Sequence, residues 1–82
     1  MSVYISIDPG KKKCGLLLAD MKSRNVIEAG ISSLNKFSEI VSLWNEEFQV
    51  YKIVIGDGTN CKYIENKLKQ KNMFNFIFVN ER

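Results

Sequence analysis

Apolar and polar positions alternate from Val3 to Ile7, and the β-branched residues among them predict a first strand. Pro9-Gly10 breaks it. Gly15-Leu16-Leu17-Leu18-Ala19 is then continuously apolar. A run from Cys14 to Ala19 suits a second strand covered on both faces, although periodicity alone does not separate it from a buried helical segment. Asp20 to Asn25 is short and polar and reads as a hairpin connection. Val26 to Ile31 is a third strand, so the first three form an antiparallel meander.

The period then changes. Ser32-Ser33 offers helix-start chemistry. Phe37, Ile40, Val41, Trp44 and Phe48 fall on one face of a helix of roughly 12–14 residues. Trp44 is the large anchor of that face. Tyr51 to Gly56 is a fourth strand and Asp57-Gly58-Thr59-Asn60 a turn. Thr59 or Asn60 caps a second helix, whose apolar stripe is Cys61, Ile64 and Leu68. Glu65 and Lys69 stand in the favourable i,i+4 order. Asn72 is its stop, and Phe74 to Val79 is a fifth strand. The element order is βββαβαβ. Helical crossovers make strands one, four and five parallel. The simplest closed arrangement is an α/β fold with a mixed five-stranded sheet in the order 3-2-1-4-5.

Eighty-two residues make one domain, spanning 1–82. Neither a repeat nor a linker interrupts it. Met1 leads directly into strand one, so no leader is expected, and no apolar run reaches the ~20 residues of a membrane span. Cys14 and Cys61 read as small core residues rather than as a disulfide framework or a zinc site. A reducing cytoplasm is the simplest compartment. Twelve basic and nine acidic residues give a net charge of +3, which favours an anionic partner without requiring one. There is no histidine. Imidazole acid/base chemistry and His-based metal sites are thereby excluded.

Three acids follow the three parallel strands: Asp8, Asp57 and Glu81. In the order 1-4-5 they share the carboxyl edge of the sheet, where ligands of open α/β sheets bind. Adjacent strands lie about 4.8 Å apart, so acids on neighbouring ends are placed to share a divalent ion. Each acid also has an ordinary reading. Asp8 and Asp57 are turn formers beside Pro9-Gly10 and Gly58, and Glu81 is a solvated residue near the terminus. Lys11-Lys12-Lys13 follows Asp8 at once, and Lys62 opens the second helix beside the Asp57 turn. These four lysines are either solvated or a clamp on a nucleic-acid backbone. Gly15, inside a strand, suggests close approach of another chain segment.

Ile7-Asp8-Pro9-Gly10-Lys11-Lys12-Lys13-Cys14-Gly15-Leu16 resembles the opening of the ribonuclease H-like superfamily. It is most similar to the Holliday-junction-resolvase-like branch, which includes ribosomal-RNA-precursor nucleases. Those proteins open with a strand, Asp-x-Gly, a basic turn, and a glycine before a second apolar strand. Val54 to Thr59 resembles the branch's fourth-strand segment, and Val79-Asn80-Glu81-Arg82 its Val-Asp-Glu motif with Asn80 in place of the first acid. The resemblance implies Asp8, Asp57 and Glu81 as catalytic ligands of Mg²⁺ or Mn²⁺. It implies Lys11, Lys12, Lys13 and Lys62 as contacts to structured or branched DNA or RNA. The expected activity is metal-dependent hydrolysis of phosphodiesters. The superfamily continues into a further helix carrying a last metal-binding acid, and the 82 residues stop before one. The alternative is therefore a truncated, non-catalytic module that binds nucleic acid or a protein partner, or that forms a homodimer. Actin-like ATPases share the element order, but they need a second half that this length does not hold.

Overall fold

The computed structural model describes residues 2–80 and contains β1 (Val3–Pro9), β2 (Lys13–Asp20), β3 (Val26–Ser33), α1 (Phe37–Phe48), β4 (Lys52–Asp57), α2 (Cys61–Gln70) and β5 (Phe76–Asn80). The sheet order is β3-β2-β1-β4-β5. β1 pairs antiparallel with β2 and parallel with β4, and β4 pairs parallel with β5. The expected order and element sequence are those of the structure. Strand one runs two residues further than its alternation suggests, through Asp8 and Pro9. Those two pair with Gly15 and Cys14 across the hairpin.

The alternation in β1 decides which face is covered. Val3, Ile5 and Ile7 are buried, as are Cys14, Leu16 and Leu18 of β2 and Ile53 and Ile55 of β4. They form one core with Phe37, Val41 and Trp44 of α1 and Ile64 and Leu68 of α2. Both helices thus lie on one side of the sheet. Complete burial of each large aliphatic side chain stabilises the fold by about 1.5–3 kcal/mol. Within α1 the apolar stripe holds at Phe37, Val41 and Trp44. Ile40 is instead at the margin and Leu43 is exposed, because the helix packs only its inner face.

The second face differs from expectation. Leu17 and Val54 are only half-buried, and Ile77 and Val79 are exposed. Among the described residues no element lies over them. β2 is therefore covered on one face rather than both. Leu17 and Ala19 of its apolar run line an open trough of about 650 Å³ that also takes in Tyr4, Val54 and Ile77.

Helix boundaries follow local chemistry less closely than the serines suggest. Ser32 and Ser33 complete β3, and their hydroxyls bond to Ser33 O and Asn35 Oδ1. α1 instead starts after Lys36 without a side-chain cap. Asn72 does mark the stop of α2. It adopts a left-handed backbone, φ 61°, while the Lys71, Asn72 and Met73 amides bond back to the last carbonyls of the helix. β5 begins at Phe76, later than the apolar run, and Phe74 remains in the exposed connection.

Candidate nucleic-acid interface

Asp8 stands near the end of β1, on the parity of Tyr4 and Ser6, so it belongs to the open face. Its neighbour on β2 is Gly15. On β4 the register Ile7–Ile55 makes Gly56 the next residue alongside it. The carboxylate is exposed and stands between two positions without side chains. A shallow depression of about 440 Å³ beside it is bounded by Ser6, Leu17, Ala29 and Ile31. Gly15 does not serve a close approach of the chain. A Cβ there would meet only the Asp8 Cβ, at 3.7 Å, an ordinary contact.

Asp57 ends β4 at the same edge, but two residues after Ile55 it shares that residue's parity. Its register partner is Asn80 on β5. The pleat therefore directs Asp8 and Asp57 to opposite faces of the sheet. The strand order brings them to one edge, and the register does not bring them to one ion. Glu81 lies outside the described residues. Among the described residues, no group of three or more acids or cysteines is disposed to hold a metal. Among the described residues, no second acid of the expected set joins Asp8 on the open face.

The turn after Asp8 is tight. The Gly10 amide donates to Lys13 O at 2.9 Å, and a Cβ on Gly10 would sit 2.6 Å from that oxygen, so only glycine fits. Lys11, Lys12 and Lys13 are all exposed on this turn. The chain holds them from outside. Asn60 Nδ2 donates to Gly10 O at 2.8 Å and to Lys11 O at 3.2 Å, and the Leu34 amide donates to Lys12 O at 3.4 Å. Lys62, exposed in the first turn of α2, comes two residues after Asn60. Four lysines thus stand at the edge that carries Asp8 and Asp57. Cys14, the first inward residue after the turn, is buried. Its thiol is pushed up to about 11, first by burial and then by the Asp8 charge. That makes it a packing residue rather than a nucleophile.

Sequence reasoning placed Asn60 correctly at the start of α2 but assigned it the wrong bond. Its side chain makes no cap. The signal available in the sequence was an asparagine in a Asp-Gly-Thr-Asn turn, a residue type that tolerates a left-handed backbone, as here at φ 63°. The long-range target of its amide had no signal in the sequence.

A sheet of this order with both helices on one side is the ribonuclease H-like fold. No family model matches the sequence, and no curated protein is similar to it. Solved structures are. RuvC of Thermus thermophilus in complex with a Holliday junction matches with a TM-score of 0.74 at 9% identity, over 99% of this chain and 66% of that one. A second T. thermophilus RuvC structure matches at 0.71 and 8% identity, over 95% and 63%. An exopolyphosphatase from Cytophaga hutchinsonii matches at 0.66 and 14% identity, over 96% of this chain and 34% of that one. The chain spans a little under two thirds of the RuvC structures. At these identities the likeness is one of fold alone. No helix among the described residues is long and apolar enough to cross a membrane.

Proposed function

We propose that residues 1–82 act as a single ribonuclease H-like domain that binds structured or branched nucleic acid at the edge bearing Asp8 and Lys11–Lys13. The observation that carries this reading is the pinned, exposed lysine turn directly after an exposed strand-end carboxylate, on a fold shared with RuvC. Phosphates attract the lysines irrespective of sequence. The same edge is where ligands of α/β sheets bind. The test is binding of a four-way DNA junction and a structured RNA over a salt series. Affinity that is weak and independent of salt would reject the reading.

Hydrolysis is the stronger form of the proposal. In that form Asp8 would be the first ligand to Mg²⁺ or Mn²⁺, which would supply a water nucleophile and neutralise phosphate charge. Asp57 and Glu81 complete the set that the resemblance implies, but Asp57 stands on the other parity. That position favours a second reading, binding without cleavage. Incubating the junction with Mg²⁺ or Mn²⁺ separates the two. Cleavage lost in Asp8→Asn establishes the nuclease, and binding without cleavage establishes the module.

A further inference from the structure

All four carbonyls of the turn, from Gly10 to Lys13, accept hydrogen bonds. One donor, the Gly10 amide, belongs to the turn itself. The others come from the loop before α1 and from the N-cap of α2. Three adjacent lysines repel one another, and a loop that merely kept them in water would lie looser. Here the backbone beneath them is fixed.

Asn60 contributes most to that fixing, and it does so in place of its usual local role. An asparagine at an N-cap normally accepts a bond from the second or third amide of its helix. The Asn60 side chain makes no such bond. Its Nδ2 group reaches a segment 50 residues earlier and divides between two consecutive carbonyls. Its backbone is left-handed, at φ 63°.

We infer that Asn60 is a positioning residue for nucleic-acid binding: it holds Lys11–Lys13 in the shape in which they meet the phosphate backbone. The inference rests on the nucleic-acid reading above. A loop ordered before binding does not lose that conformational freedom on binding, so the bound complex is tighter for the same charges. Removing the amide leaves every lysine in place and takes away only the order.

Asn60→Gly separates the amide from the backbone, since glycine adopts the left-handed conformation freely. Binding of a fluorescent four-way DNA junction is measured over a salt series for four proteins. These are the wild type, Asn60→Gly, the triple Lys11→Ala/Lys12→Ala/Lys13→Ala variant, and the combination. Asn60→Gly is expected to bind about tenfold more weakly, the cost of ordering the turn at the moment of binding. Its salt slope stays that of the wild type, because the number of phosphate contacts is unchanged. In the triple-lysine background the substitution has no further effect, the non-additivity of residues acting as one unit. Asn60→Asp also removes both donors but adds a carboxylate beside the lysines, so its loss is expected to exceed that of Asn60→Gly. Wild-type affinity in Asn60→Gly, or an equal loss in the triple-lysine background, overturns the inference. A wild type that does not bind the junction rejects the binding reading itself, and the role of Asn60 falls with it.

Discussion

The two hairpins of the meander are built on opposite plans. The β2–β3 turn holds itself. Asp20 accepts bonds from the Lys22 amide and the Ser23 hydroxyl, Ser23 accepts from the Asn25 amide, and Asp20 and Asn25 close the backbone at 3.0 Å. Everything it needs is within six residues, apart from one bond between Met21 and Ser2. The β1–β2 turn holds little of itself. Beyond the bond from Gly10 to Lys13, it relies on Asn60 and Leu34. The self-sufficient turn carries mixed charge, Asp20 with Lys22 and Arg24. The dependent turn carries three lysines of one sign. A turn whose side chains satisfy its own backbone has few left for a ligand. One anchored from elsewhere presents all its side chains outward.

The largest expected effect breaks the comparison at the charges. Replacing Lys11, Lys12 and Lys13 together with alanine is expected to weaken junction binding at least about a hundredfold near 100 mM salt, and to reduce the salt slope by about 2.7. Replacing Lys22 and Arg24 in the other turn leaves affinity within about twofold, measured by the same titration. Equal losses from both turns would erase the functional distinction between them.

Next comes the inward foot of the lysine turn, which has no counterpart in the other hairpin. Cys14 has a folded pKa of about 11, above the usual thiol value of 9.0. The folded state therefore keeps its proton after the unfolded chain has lost it. The stability involved is fully present below about pH 9 and is lost as pH rises to about 11. In full it amounts to about 2.7 kcal/mol, roughly two pKa units. Urea denaturation at pH 8 and pH 11 measures the fall, and Cys14→Ala removes this part of it.

A smaller effect is expected at Gly10. Alanine there places its Cβ 2.6 Å from Lys13 O, and relieving that contact costs about 1–2 kcal/mol by denaturant titration. The smallest belongs to the self-held turn. Asp20→Ala loses two exposed bonds and costs about 1 kcal/mol, with junction affinity unchanged.

What could be read from the sequence was what periodicity controls. The alternation of Val3, Ile5 and Ile7 identified β1 and its inner face, and the two helical stripes identified the crossovers that fix the strand order. Coverage of the second face was not legible. A strand as apolar as Leu16-Leu17-Leu18 reads alike whether one face is buried or two. The candidate site was legible as an edge and not as a geometry. Asp8 and Asp57 follow adjacent parallel strands, yet facing depends on parity, and Gly56 rather than Asp57 is the neighbour of Asp8. Asn60 was visible as a cap because capping is local chemistry. Its actual acceptors lie 50 residues away, and no local pattern encodes them.

The distance between Asn60 and Gly10 also sets an order of events during folding. A hairpin forms within about 1–10 μs, and the β1–β2–β3 meander consists of such neighbours. The anchor on the lysine turn must wait for β4 to dock beside β1 and for α2 to begin. That is a contact across 50 residues and slower for the entropy of closing so long a loop. Until then Gly10 O and Lys11 O have only water. A chain still being synthesised thus displays its lysines early but shapes them late, after residue 60 has been added and β4 has found its place.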